Sequence, residues 1–284
     1  AGNVQTLTAN MLESVRVDLD NVASEFNNFS MTDASGNYAF NSVTSGNYVL
    51  KASMDDQVLN GVSTLDLVLI QRHVLGLATL DSPYKIIAAD ADNSGTVTAI
   101  DLLTLRKLIL GVSNEFPNGQ LSWRFPIQNQ PFTDAFKPFP YEESVEIFSL
   151  TSDMNDQNFM GVKIGDVNLS AVLSAKGNST EIESRGQTLL TLEMDETPLT
   201  QGEVITVPVY AKDMIEVIGF QNTINFDASA LTFVGVTSGA LDMSNENVAL
   251  SSTNSDLSIS WNALNAVTYD AQTVLFNLEF DVNS

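Results

Sequence analysis

Apolar residues recur along this chain at two different spacings, which divide it into three regions. Residues 1–54 and 187–284 contain short alternations of apolar and polar residues separated by turn residues, the pattern of β-strands. Between them, two segments space their apolar residues like one face of a helix. These residues are Leu67, Ile70, Val74 and Leu77 in the first segment and Leu102, Leu105, Ile109 and Val112 in the second. The pattern predicts a multidomain, mainly β protein in which two β-sandwiches flank a small α-helical region.

The two helical segments belong to a tandem repeat, because residues 55–77 and 90–112 are copies offset by 35 residues. The second copy begins with the loop Asp90-Ala-Asp-Asn-Ser-Gly-Thr-Val-Thr-Ala-Ile-Asp101, with oxygen-bearing side chains at positions 1, 3, 5, 9 and 12 and Gly at position 6. Ca²⁺ takes about six to eight oxygen ligands, and such a loop converges them around the sharp turn at Gly. The loop therefore predicts a Ca²⁺ ion held by Asp90, Asp92, Ser94, Thr98 and Asp101, with the carbonyl of Thr96 completing the shell.

The first copy has a less regular loop, Asp55-Asp-Gln-Val-Leu-Asn-Gly-Val-Ser-Thr-Leu-Asp66. Its ends are acidic, but its Gly is at position 7, and Leu59 at position 5 has no side-chain oxygen. Asn60 or a backbone carbonyl would have to substitute for Leu59. Two alternatives stay open: a metal-free turn capped by Asp and Asn, or a second Ca²⁺ at Asp55, Gln57, Asn60, Gly61, Ser63 and Asp66.

A further stretch, Asp166-Val-Asn168, also begins like a calcium loop. No Gly and no later acid completes it. A third ion nearby and an uncharged closing strand therefore both remain open.

The tandem copies resemble a dockerin, a small calcium-binding module of EF-hand-like loops and helices that binds a cohesin partner. The resemblance rests on both loops, on the Asp at position 12 of each, and on the Leu-Gly that closes each helix. It departs from the family at Gly61 and at the tenth and eleventh loop positions, which are half apolar here instead of Ser/Thr. The resemblance implies a partner-facing surface of Thr64, Leu65, Ala99, Ile100, Arg72 and Lys107, with Gln71 and Arg106 at the other positions that touch the partner.

The two β regions resemble known sandwich families. The turn and strand Thr32-Asp-Ala-Ser-Gly-Asn-Tyr-Ala-Phe40 are similar to the immunoglobulin-like modules of carboxypeptidase regulatory domains and bacterial surface adhesins. The succession of Val-Pro-Val, Gly-Phe-Gln, Ser-Trp-Asn and Leu-Phe strands after residue 206 resembles a cohesin-type sandwich. The expected domains are an immunoglobulin-like sandwich at 1–54, a dockerin-like region with a Pro/aromatic wrap at 55–169, a linker at 170–186 and a cohesin-like sandwich at 187–284.

Composition restricts the function classes. A net charge of −23 with only 12 basic residues argues against binding to nucleic acid or anionic membranes. No apolar run reaches the length of a membrane span. With no cysteine and a single histidine, His73, the usual triads and thiol nucleophiles lack their groups, and we expect no enzyme. Paired carboxylates of a glycosidase are not excluded by counting alone.

These observations favour an extracellular, bacterial, non-catalytic structural protein that is stabilised by calcium. A dockerin-like and a cohesin-like module on one chain predict head-to-tail association into a surface scaffold or filament, with other copies or another cohesin-bearing protein as partner. One alternative is an accessory anchoring or carbohydrate-binding module of a secreted polysaccharide-degrading protein. Another is docking within the chain. Both ends of the chain resemble strand interiors, so we expect a segment of a longer protein or a processed form.

Overall fold

The computed structural model describes residues 1–23, 27–173 and 190–283, so most of the predicted linker lies outside the described residues. The chain forms two compact units. The first comprises Ala1–Val62, His73–Thr104 and Glu115–Ile182, and the second comprises Ser63–Arg72, Leu105–Asn114 and Glu183–Ser284. The predicted class, a mainly β multidomain protein with a small helical region, is confirmed.

The first unit is built on two four-stranded sheets, with strand orders β4-β1-β8-β6 and β3-β2-β5-β7. Its strands are β1 (Gly2–Thr6), β2 (Arg16–Asn21), β3 (Asn27–Met31), β4 (Asn37–Tyr38), β5 (Tyr48–Ser53), β6 (Trp123–Arg124), β7 (Ser144–Ile147) and β8 (Phe159–Lys163). One apolar cluster contains residues of both sheets, among them Val4, Leu19, Leu50 and Phe159. Side chains alternate between the two faces of a strand, so each sheet contributes one buried face to this core.

The first sandwich is assembled from two distant parts of the chain. Strand β1 pairs in parallel with β8, and β5 pairs antiparallel with β7, so strands from residues 123–163 complete the region predicted at 1–54. Every residue of β8 is buried. A Cβ at Gly161 in β8 would lie 2.1 Å from Cδ1 of the buried Leu12, so any larger residue there would have to displace that side chain. The segment predicted as a Pro/aromatic wrap thus supplies sheet strands.

Three α-helices occur in the described residues: α1 (Thr64–Val74), α2 (Pro83–Ala89) and α3 (Ala99–Ile109). The predicted apolar faces are buried at Leu67, Ile70 and Leu105, whereas Val74, at the last residue of α1, and Leu77 and Val112 beyond the helices are exposed. The reason is local: Gly76 and Gly111 adopt φ of 68° and 73°, the left-handed conformation that ends a helix before these residues. Helix α2 was not predicted, although Ser82 before Pro83 is a recognisable helix-start signal.

The described residues of the second unit contain a seven-stranded sandwich. Its strands are β9 (Leu192–Met194), β10 (Val204–Ala211), β11 (Met214–Asn225), β12 (Leu231–Ser238), β13 (Val248–Leu250), β14 (Asp256–Tyr269) and β15 (Phe276–Val282). The sheets have the orders β12-β15-β10-β9 and β11-β14-β13. Alternate residues of β15, Phe276, Leu278 and Phe280, enter the common core opposite Leu257 and Ile259 of β14. None of the helices in the described ranges combines the length and apolar character needed to cross a membrane.

Candidate calcium loop and docking surface

The loop between α2 and α3 brings three carboxylates together. Asp90, Asp92 and Asp101 each place one oxygen within 4.8 Å of the others, and Asp90 and Asp101 are buried. The backbone turns through Asn93 and Gly95, which have φ of 58° and 80°. A loop of short polar residues and one Gly can make this reversal, and it directs side chains from both of its ends toward one point.

Backbone N–H groups hold these carboxylates in place. Asp90 accepts hydrogen bonds from the N–H groups of Ser94 and Gly95, both at 2.9 Å. Asp101 accepts from Ala91 and Asp92 at 2.8 and 3.1 Å through Oδ1, and from the Thr98 N–H at 2.7 Å through Oδ2. The sixth predicted ligand, the carbonyl oxygen of Thr96, lies 3.1 Å from Oγ of Ser94. The structure therefore brings the predicted residues of the second loop together.

The electrostatics of this loop favour a bound cation. Burial, with a contribution from Asp92 and Asp90, raises the pKa of Asp101 to about 6 against the lowering effect of its backbone hydrogen bonds. Burial also raises the pKa of Asp90. A divalent cation would remove the repulsion among these groups, and carboxylate, hydroxyl and carbonyl oxygens are the donors that Ca²⁺ prefers. The residues therefore fit Ca²⁺, which would be held by the six predicted ligands and would join the two ends of the loop.

The first loop is arranged differently. The carboxylate of Asp55 accepts a hydrogen bond from the Ser122 N–H at 2.9 Å. The amide of Asn60 donates to the Val172 carbonyl and accepts from the Val172 N–H, both at 2.9 Å. Asp66 accepts from the N–H and the hydroxyl of Ser63 at 2.9 and 2.8 Å. Gln57 is exposed, and the carbonyl of Gly61 accepts from Ser170. Several predicted ligands thus bond to residues outside the loop.

Inside the second unit, the start of α1 packs against the face of β11 and β14. Thr64 is 4% exposed. Its hydroxyl donates to Oε1 of Gln221 at 3.2 Å and lies 3.1 Å from the hydroxyl of Ser260. A Cβ on Gly219 would come within 2.9 Å of the Thr64 methyl group, so the absence of a side chain at Gly219 permits this close approach. Thr64 is therefore the packed centre of this contact.

Two arginines continue the contact within the same unit. The guanidinium of Arg72 donates to the Leu264 carbonyl at 3.1 Å from Nε and 2.6 Å from Nη2. Nη2 of Arg106 donates to Oδ1 of Asn262 at 2.8 Å, and the amide of Asn262 donates to Oε1 of Gln71 at 2.8 Å. Burial lowers the pKa of Arg106, with Glu246 acting in the opposite direction. The side chain of Asn262 on β14 thus links the sandwich to both helical segments by hydrogen bonds.

The predicted partner-facing residues are divided by the structure. Thr64 and Arg72 contact the sandwich, whereas Leu65 and Ile100 are 44% and 59% exposed. Ala99 and Lys107 are also exposed. The hydrogen-bond partners on the sandwich, Gln221, Ser260, Asn262 and Leu264, were not predicted. Polar residues on a strand face have the same sequence pattern whether they contact solvent or another element, so no signal identified them.

Comparison with family models found two matches. Residues 190–284 match the model of the cohesin domain, and residues 60–110 match that of the dockerin type I domain. A search of curated proteins found no match. Cohesins and dockerins are non-catalytic assembly modules that bind each other, and type I dockerins bind calcium. Neither match includes residues 1–54, so the immunoglobulin-like assignment of that region stays a prediction.

Proposed function

We propose that this protein is an extracellular, calcium-stabilised structural protein of a bacterial surface, which associates with copies of itself head to tail. The dockerin-like helices of one copy bind the cohesin-like sandwich of the next and form a scaffold or filament. The observation that carries the proposal is the hydrogen-bonded contact of residues 63–72 and 105–114 with strands β11 and β14. Every copy has both surfaces, so the same contact fits within a chain and between chains.

Concentration decides between these two arrangements, because their contacts are equal. Two modules joined in one chain meet at an effective concentration that reaches the order of millimolar. At micromolar concentration we expect the contact within a chain to dominate. On a crowded surface the local concentration of copies is higher. There the helices of one copy bind the sandwich of another, and each such exchange leaves one sandwich unoccupied for a further copy. Such a heterologous contact closes into a ring or continues as a filament.

Calcium and charge support the extracellular setting. The carboxylates of Asp90, Asp92 and Asp101 repel one another without a cation, so folding of the loop depends on available Ca²⁺. The net charge of −23 and the absence of cysteine suit a protein that is stabilised by millimolar Ca²⁺ instead of disulfides. The resemblance of residues 1–54 to adhesin modules supports a location at a bacterial surface.

The test is molar mass by light scattering after calcium is restored to the chelated protein at increasing protein concentrations. We expect high-mass species to increase with concentration in calcium and to be absent in chelator. Thr64→Arg should prevent them, since an arginine does not fit against Gly219. The matched control Leu65→Arg alters an exposed neighbour and should behave as the wild type. A constant monomer mass for the wild type at all concentrations would refute self-association.

A second candidate, anchoring to another cohesin-bearing protein, is favoured by the surface at the start of α3. Ala99 and Ile100 occupy the same loop positions as Thr64 and Leu65 but are exposed. The two candidates separate in the Thr64→Arg protein, whose own sandwich is free. A second cohesin-bearing protein that forms a complex with Thr64→Arg, and fails to do so when Ile100→Asp is added, would assign binding of another protein to the α3 surface.

A further inference from the structure

A second cage of oxygen atoms forms within the first unit, around Asp166. Asp166 is 3% exposed, and its two carboxylate oxygens accept hydrogen bonds from the N–H groups of Ser170 and Ala171 at 2.9 and 2.8 Å. The hydroxyl of Ser170 donates to the carbonyl of Gly61 at 3.1 Å. Gly61 precedes Ser170 by 109 residues, so two distant chain segments meet here.

This arrangement repeats the geometry of the calcium loop at Asp90. There the two carboxylate oxygens accept from the N–H groups four and five residues later, and the hydroxyl of Ser94 donates to the Thr96 carbonyl at 3.1 Å. Asp166, Ser170 and Gly61 therefore take the places of loop positions 1, 5 and 7. In the sequence, Asn168 stands where the Asp90 loop has Asp92, at position 3.

The sequence register supports the assignment of Gly61 to position 7. Gly61 is followed by Val-Ser-Thr-Leu-Asp and Thr96 by Val-Thr-Ala-Ile-Asp, so the two segments run in parallel from this position onward. Position 7 of such loops provides its backbone carbonyl to the ion. Gly61 has φ of 78°, and a Cβ there would lie 2.7 Å from both Oδ2 of Asp166 and the Ala171 nitrogen. The close approach of the second segment explains why this position is a glycine.

We propose that Ca²⁺ binds at this split loop, through the side chains of Asp166, Asn168 and Ser170 and the carbonyl of Gly61. Asp55, the acid at the start of the contiguous first loop, is not one of the ligands, because its carboxylate is exposed and bonded to the Ser122 N–H. The ion fastens the segment around residue 61 to the segment at 166–171. It therefore stabilises a long-range closure of the first unit, unlike the ion of the contiguous loop.

Lys163 attracts the carboxylate of Asp166 electrostatically, but its hydrogen bonds go to other groups. The ammonium of Lys163 is buried and donates to the carbonyls of Val58 and Ser122 at 3.0 and 3.4 Å. A buried carboxylate that carries a full charge requires compensation from a partner or a metal ion. Ca²⁺ at Asp166 supplies it with donors of the type that this ion prefers.

The experiment is calorimetric titration of the full chain with CaCl₂, in a background that carries Asp90→Ala and Asp101→Ala to remove the contiguous loop. We expect one binding event in this background, and Asp166→Ala should abolish it. The matched control Asp55→Ala removes the acid that the contiguous first loop offers and should leave the event unchanged. Loss of the event in Asp55→Ala with retention in Asp166→Ala, or no event in the background itself, would overturn the proposal.

A milder variant keeps the test decisive if Asp166→Ala does not fold. Ser170→Ala removes one neutral ligand from a half-buried position, and circular dichroism establishes that the variant is folded. We expect its calcium affinity to fall by about tenfold, since each ligand of such a loop tunes affinity. An unchanged dissociation constant in folded Ser170→Ala would refute the site. The docking residues of the second unit are untouched by these variants, so the assembly proposal stands or falls separately.

Discussion

Replacing Asn262 with alanine should weaken the attachment of both helical segments to the sandwich. Its amide accepts from Arg106 and donates to Gln71, both at 2.8 Å, so one substitution removes two hydrogen bonds. Nε of Arg106 is already buried without a hydrogen-bond partner among the described residues. The substitution would therefore leave a half-buried guanidinium with fewer acceptors.

The free energy that Asn262→Ala costs follows from the two types of hydrogen bond that it removes. A hydrogen bond to a charged group contributes about 1.5–3 kcal/mol and a neutral one about 1 kcal/mol. Asn262 is half-buried, so water can replace part of the lost hydrogen bonding. We therefore expect a cost at the lower end of this range. A loss of about 2 kcal/mol corresponds to a fall of about 30-fold in the equilibrium constant for attachment of the helical segments to the sandwich.

Hydrogen exchange measured by mass spectrometry resolves this loss by region. Protection should fall about 30-fold in peptides from residues 63–72 and 256–269, and should be unchanged in strand β2 of the first unit. Asn222→Ala is the matched control, because Asn222 lies on the neighbouring strand β11 and its Oδ1 has no hydrogen-bond partner in the described structure. Asn222→Ala should lose little protection from hydrogen exchange.

Two results would refute this reasoning. One is an equal loss of protection in Asn222→Ala, which would indicate a general weakening of the sheet. The other is strict additivity of Asn262→Ala and Arg106→Ala, since residues that share a hydrogen bond should show a coupling of about 1.5 kcal/mol.

Three further predictions concern the candidate calcium loop. The double variant Asp90→Ala with Asp101→Ala should lose one calcium-binding event in calorimetry. Chelation of the wild type should lower the helical circular dichroism signal while the β signal persists. An unchanged helical signal would show that the loop is not a structural site. In calcium-free buffer, the unfolding free energy should decrease as pH rises from about 4 to 7, because the folded pKa of Asp101, about 6, exceeds its ordinary value of 3.8. Protonation of Asp101 thus stabilises the folded state fully at low pH. This contribution to the unfolding free energy, up to about 3 kcal/mol, is lost as pH rises through 6. Calcium binds the ionised form, so urea unfolding in calcium should not show this decrease.

The features that the sequence determined are those carried by one short segment. The turn that brings the carboxylates of Asp90, Asp92 and Asp101 together and the apolar faces of α1 and α3 follow from the identity and spacing of neighbouring residues. Helix ends were the exception, because the predicted faces extended past Gly76 and Gly111, where the left-handed backbone stops the helix. Local spacing determines such features because all their hydrogen bonds and ligands lie within about a dozen residues.

Only the tertiary structure decided which distant segments meet. Strand β8 pairs with β1 and completes a sandwich that the sequence limited to residues 1–54. The carbonyl of Gly61 meets Ser170, and Arg106 meets Asn262, across 109 and 156 residues. Periodicity shows which face of a strand or helix is apolar, but it contains no information on the partner of that face. The partner is set by the packing of whole elements, which a single sequence does not display.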